Sequence, residues 1–97
     1  MVGKIIVMIR DDLKIILGEE LRILAIKTRD RLNLTQREMG ERLQMSESSY
    51  SDIETGKYRC GALTMLLLLE MQDDTDDFIN TINDRFQKWY KKENVPV

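Results

Sequence analysis

The stretch T-Q-R-E-M-G-E-R-L-Q-M-S-E-S-S-Y-S-D-I-E-T-G, Thr35 to Gly56, decides the fold. It holds two helix-start residues, Thr35 and Ser46, eleven positions apart. Glu38 stands three residues after Thr35, the spacing of a capping box, in which hydroxyl and carboxylate each accept from a free backbone N–H. Ser46 is a cap of the same kind, with Ser49 a weaker reciprocal partner. Behind each cap apolar residues fall at helical spacing: Met39 and Leu43 in the first run, Tyr50 and Ile53 in the second. Gln44, Met45 and Ser46 leave room only for a tight turn, and Gly56 stops the second run. Helices are therefore expected over 36–43 and 47–55.

Two short helices, a tight turn and a small residue at their crossing (Gly40) describe a helix-turn-helix. A Cβ larger than a methyl at Gly40 would separate the two helices. Upstream, apolar residues at 13, 16, 17, 21, 24, 25 and 32, with Thr28 in the same stripe, predict one long helix capped by Asp11 or Asp12. Gly18 inside it costs roughly 1 kcal/mol relative to Ala and marks a kink or a later true start. Asn33 is a left-handed exit residue, after which Leu34 returns to the core. Residues 1–10 are apolar and β-branched. They read as a short strand or extended arm in preference to the start of the first helix, and such an arm would pair with a second subunit.

Downstream, Ala62 to Gln72 contains M-L-L-L-L and is apolar all round, which suits a central helix or one shared between subunits. Asp73, Asp74, Asp76 and Asp77 form an acidic linker. Thr75 is the expected cap of a last amphipathic helix within 75–93, with Asp76 and Asp77 in its first turn and Lys88, Lys91 and Lys92 near its end, matching the helix dipole. The whole chain, 1–97, reads as one domain of the all-α class with five helices.

Composition agrees with that class: 97 residues, 42% hydrophobic and 33% charged, with five Gly and one Pro. One Cys and no His exclude an internal disulfide, structural zinc and His-based catalysis. The serines of 48–51 have no base, and the Asp block is a solvated linker, so neither enzyme activity, a cofactor nor a metal site is expected. The apolar run Ile5–Ile9 is too short to span a membrane and has no cleavage site, which fits a cytoplasmic protein without a membrane partner. The net charge of −2 is unusual for a nucleic-acid binder, but setting aside the four linker Asp residues leaves +2 on the remainder.

The residues N-L-T-Q-R-E-M-G-E-R-L-Q-M-S-E-S-S-Y-S-D-I-E-T-G-K, followed by a Leu-rich helix, resemble the phage repressor/Cro-like helix-turn-helix family over roughly Gly18 to Asp73. The resemblance implies a lambda-repressor-like DNA-binding domain with a core of Leu34, Met39, Leu43, Met45, Tyr50 and Ile53. It implies a structural ion pair between Arg29 and Glu54, and a DNA-backbone anchor at Thr35 and Gln36. It assigns base readout to Glu47, Ser48, Ser49 and Asp52, where a carboxylate would favour the exocyclic amine of cytosine. Arg37, Ser51, Thr55, Lys57, Tyr58 and Arg59, with Arg42 as an added cation, are the expected backbone contacts. At Gly40 the family more often has Ala, and many relatives carry Gln, Arg or Lys on the second helix where this chain carries acids.

Family members of this size act as symmetric dimers on duplex DNA, and the last helix, with Phe78, Ile79, Ile82, Phe86, Trp89 and Tyr90, is the expected interface of a homodimer. The function expected is a dimeric transcriptional regulator, a repressor occupying an operator. Two alternatives stay open: the antitoxin of a toxin–antitoxin pair, with a toxin as protein partner, and an interaction module of the same fold without DNA affinity.

Overall fold

The ends of the helices are set by backbone chemistry that recurs twice. Asn33 (φ 55°) and Gln44 (φ 60°) both adopt the left-handed conformation. At the first, the Asn33 and Leu34 N–H groups donate to the carbonyls of Asp30 and Arg29; at the second, the Gln44 and Met45 N–H groups donate to Glu41 and Gly40. This is the paired Schellman closure, which satisfies the last carbonyls of a helix while reversing the chain. The computed structural model describes residues 2–94, with side chains from Arg10 onward. Five helices follow in order: α1 (Val2–Arg31), α2 (Gln36–Arg42), α3 (Glu47–Glu54), α4 (Ala62–Glu70) and α5 (Asp76–Lys92). Among the described residues there is no strand, and no helix is long and apolar enough to cross a membrane.

The N-terminal reading needs correction. The backbone from Val2 to Arg10 is helical and continuous with α1, neither strand nor extended arm, and Met1 lies outside the described residues. Asp11 and Asp12 are exposed positions within the helix and cap nothing. The physical reason is that extending an existing helix costs far less than nucleating one. The three-to-four spacing of Leu13, Ile16 and Leu17 continues backward through Ile9 and Ile6. The β preference of Val and Ile is worth only tenths of a kcal/mol per residue against that. The 30 residues of α1, at about 1.5 Å each, account for the 45 Å long axis of the molecule.

Gly18 does not start the helix, which runs unbroken through it. A Cβ built there would meet only the Arg59 side chain, at 3.5 Å. Gly18→Ala is therefore expected to stabilise the protein by up to about 1 kcal/mol and raise its melting temperature by up to roughly 4–8 °C. Thermal unfolding followed by circular dichroism checks this, and a lower midpoint would contradict a continuous α1.

The core lies between α1, the α2–α3 pair and α4: Leu21, Ala25, Met39, Leu43, Tyr50 and Leu68 form one buried cluster, with Leu34, Met45 and Phe78 packed against it. Thr28, in the α1 stripe, is buried; its hydroxyl donates to the Leu24 carbonyl (2.7 Å) and accepts from the Gln72 amide (2.9 Å). Arg31 donates to the Met71 carbonyl (2.9 Å) and so closes the end of α4 onto α1. Of the Leu-rich α4, Leu68 is fully buried whereas Leu63 and Leu66 stay exposed.

α5 lies along α1. Ile82 is buried there, and Arg85 bridges Glu19 and Glu20, both at 3.0 Å. At its start Thr75 takes a helical conformation and caps nothing. The Asp74 carboxylate instead accepts from the Asp76 N–H (2.8 Å), a correction to the expected cap. Either residue type serves at such a start, and the one reaching the free N–H is decided by backbone conformation.

Candidate nucleic-acid interface

Glu54, in the last turn of α3, organises the site. Its carboxylate accepts from Arg29 Nε (2.6 Å) and a second Arg29 nitrogen (3.1 Å), a bidentate pair, and from the Gln36 amide (3.1 Å). A third Arg29 nitrogen donates to the Leu34 carbonyl (3.2 Å), and Arg22 donates to the Glu54 backbone carbonyl (3.1 Å). The end of α3 is thus tied to α1 twice and to the start of α2 once. Burial opposes ionisation of Glu54, but the hydrogen bonds from Arg29 and Gln36 outweigh it and hold its carboxyl below the usual range. The bond to Glu54 likewise raises the Arg29 guanidinium. Tyr50, fully buried beneath, donates to the Ala25 carbonyl (3.4 Å), and burial pushes its phenol upward.

α2 and α3 are held in register by Gly40. A Cβ there would lie 2.9 Å from the Met45 carbonyl oxygen and 3.1 Å from that of Ser46. Even a methyl is too large, which corrects the sequence expectation that only larger groups are excluded. The constraint comes from the turn backbone folding over the helix: the Met45 N–H donates to the Gly40 carbonyl (2.9 Å), so the strip of backbone cannot lift without breaking that bond.

At the start of α2 the Thr35 hydroxyl accepts from the Glu38 N–H (3.1 Å) and the Glu38 carboxylate accepts from the Thr35 N–H (3.0 Å). That backbone hydrogen bond keeps the Glu38 carboxyl below its ordinary value. At the start of α3 the Ser46 hydroxyl accepts from the Ser49 N–H (3.1 Å) and meets the Ser49 hydroxyl at 3.0 Å. Thr35 and Ser46 therefore spend their hydroxyls on capping, and the Ser49 hydroxyl accepts from that of Ser46.

The face these bonds present is a shallow depression lined by Gln36, Ser46, Glu47, Ser48, Ser51 and Asp52. Of the residues singled out for base readout, Glu47, Ser48 and Asp52 meet there with Gln36 and Ser51, and Ser49 does not. Thr55 closes α3, donating to the Asp52 carbonyl (3.3 Å). Arg37 lies exposed beside Glu41 (3.5 Å). Lys57 and Tyr58 are exposed in the loop that follows, and the Tyr58 N–H donates to the Asp52 carbonyl (3.1 Å). Arg59 lies over Gly18, on the α1 side of that loop. Gly56 takes the left-handed conformation (φ 80°) at the exit of α3, where glycine avoids the strain a side chain would meet.

Residues 16–70, more than half of the chain, match the family model described as helix-turn-helix domain. The chain belongs to the helix-turn-helix domain family. Comparison with curated proteins and with solved structures yields no match. The matched segment starts within α1 and ends with α4, so it contains the Arg29–Glu54 pair, Gly40 and the whole α3 face, and leaves α5 outside. The family is a DNA-binding one, and the α3 face brings together Gln36, Glu47, Ser48, Ser51 and Asp52 of the residues named for DNA contact.

Arg22, Arg31, Gln72 and Arg85 are the structural ties that reading the sequence missed. Arg22 had a signal: it precedes Arg29 by seven residues, two turns along the same face of α1. Arg85 had none, because its two acidic partners lie more than sixty residues away. Of the six residues assigned to a dimer contact, Phe78 packs into the core and Ile82 is buried. Phe86, Trp89 and Tyr90 are half-buried, and Ile79 is exposed. Trp89 and Tyr90 meet edge to face, with ring centroids 5.5 Å apart.

Proposed function

We propose that this protein is a cytoplasmic, sequence-specific DNA-binding regulator of transcription, a repressor of the phage repressor/Cro-like kind that occupies an operator as a dimer. The observation that carries the reading is the convergence of Gln36, Glu47, Ser48, Ser51 and Asp52 on one exposed face, held by the Glu54 hydrogen bonds. In this reading α3 enters the major groove, Ser48 donates or accepts at base edges, and Glu47 and Asp52 accept from cytosine. Arg37, Arg42 and Lys57 supply the charge that offsets the two acids at the phosphates. A second copy covers the apolar surface left on α4 and α5, where Leu63, Leu66 and Ile79 are the most exposed large side chains.

The composition of the same face favours a second reading. None of the six residues lining it is cationic, which suits a module that binds protein without DNA. An antitoxin, gripping its toxin through α5 while binding DNA, is the runner-up within the DNA-binding class.

Fluorescence polarisation with duplex DNA across a salt series separates these. The regulator is expected to bind two chains per site, with log K falling by roughly 0.9 for each phosphate contacted as log salt rises. No binding even near about 50 mM salt, where such electrostatics are strongest, would sink both DNA-binding readings. Asp52→Asn is expected to change base preference; a uniform gain on all sequences would assign Asp52 to phosphate repulsion only.

A further inference from the structure

A furrow runs between α1 and the segment carrying the chain from Gly56 into α4. Its floor is apolar, made by Leu17, Leu21 and Met65, with Cys60 on one wall. It encloses about 420 Å³, within the size range of small-ligand sites. Lys14 and Arg59 stand at its rim, and beyond Arg59 a second hollow continues past Arg22. Arg59 divides the two. Its Cγ and Cδ lie 3.5 and 3.6 Å from the place a Gly18 Cβ would take, so the bare backbone at residue 18 forms the saddle over which its stem lies.

The charge distribution around this furrow is lopsided. Among the described residues the ion pairs involve Arg29, Arg37, Arg85 and Lys88, and neither Lys14 nor Arg59 has an acidic partner. The carboxylate that borders the second hollow, Glu19, is engaged by Arg85 at 3.0 Å. In a chain of net charge −2, two cations without partners flank an apolar trough. Long cationic side chains lay their methylene stems on apolar surface and keep their heads in water, so both heads are placed to meet a ligand entering from solvent. A guanidinium matches a carboxylate in a planar, two-bond geometry, and the trough removes apolar surface from water.

From this geometry we infer that the furrow binds an amphipathic anion, an apolar body of medium length carrying one carboxylate, with the head on Arg59 and Lys14 and the body on Leu17, Leu21 and Met65. The site is separate from the α3 face and does not depend on the DNA-binding reading.

Decanoate below its micelle-forming concentration is the probe, and the readout is the rate at which Cys60, the only cysteine, reacts with an aromatic disulfide reagent. Decanoate is expected to slow that reaction several-fold in a saturable manner. Decyltrimethylammonium, with the same tail and the opposite charge, is expected to leave the rate unchanged. Lys14→Glu, at an exposed position on α1, is expected to weaken protection about tenfold, and Arg59→Gln, which keeps a stem over Gly18, to weaken it as well. The inference is overturned by the absence of saturable slowing, by equal slowing with the cationic analogue, or by Lys14→Glu protecting as well as the native chain.

Discussion

Arg29→Met is expected to destabilise the protein by about 3 kcal/mol, the low end of the cost of orphaning one member of a buried ion pair. The low end applies because the Arg29 side chain keeps 25% exposure while Glu54 keeps only 9%, so water recovers part of the loss. Methionine preserves the packing of the stem but removes both hydrogen bonds to the Glu54 carboxylate and the one to Leu34. A domain of this size has about 5–15 kcal/mol in total, so the midpoint of thermal unfolding should fall by roughly 12 °C or more. The double substitution Arg29→Met with Glu54→Met is expected to recover most of the loss, because no charge is then buried without a partner.

The same pair predicts an acid response. Glu54 ionises below the ordinary 4.5 in the folded chain, so the unfolded chain binds the proton more readily. Its contribution is therefore complete above that ordinary value and is lost as pH falls through the lowered one. Glu54→Gln should flatten this part of the acid limb, whereas Arg29→Met, leaving burial to dominate, should reverse it, so that the variant recovers stability as falling pH protonates Glu54. A loss below about 1 kcal/mol with an unchanged acid limb would mark the two as an ordinary surface pair.

Gly40→Ala is expected to destabilise by about 2 kcal/mol, against its gain of roughly 1 kcal/mol in helix propensity. The new methyl would sit 2.9 Å from the Met45 carbonyl oxygen, and backbone on that side has no rotamer by which to retreat. The Ser46 carbonyl, next nearest, accepts from the Tyr50 N–H (3.0 Å) and carries the first turn of α3. Relief would therefore displace α3 from α2, and the Gln36–Glu54 bond with it. Gly18→Ala makes the same chemical change where the only neighbour is a flexible side chain. Opposite signs for the two substitutions in chemical denaturation support the turn geometry, and a stabilising Gly40→Ala would refute it.

Local signals carried the helix-turn-helix. The Thr35–Glu38 box, the Ser46 cap, the left-handed Asn33 and the terminal Gly56 each act within a few residues, so spacing alone exposes them. Where α1 begins was not legible, because β-branched residues suit both a strand and the extension of a helix, and the choice depends on cooperativity along the chain. Nor was the tightness at Gly40, which is set by where the turn backbone passes. Asp74 displaced Thr75 as the cap of α5 for a related reason: both carry a suitable oxygen, and φ and ψ select between them. On the α3 face, spacing grouped Ser48 with Ser49, but Ser49 turns its hydroxyl to Ser46 while Gln36, from another helix, joins the depression.

The central claim is that the α3 face is the surface that meets duplex DNA. Titration of the isotopically labelled protein with an operator duplex, followed through backbone amide shifts, tests it residue by residue. The largest shifts are expected at Gln36 and from Ser46 to Asp52, with Leu68 and Thr28 in the core unmoved. Shifts concentrated on α4 and α5, with those of Glu47, Ser48 and Asp52 unchanged at saturation, would contradict it.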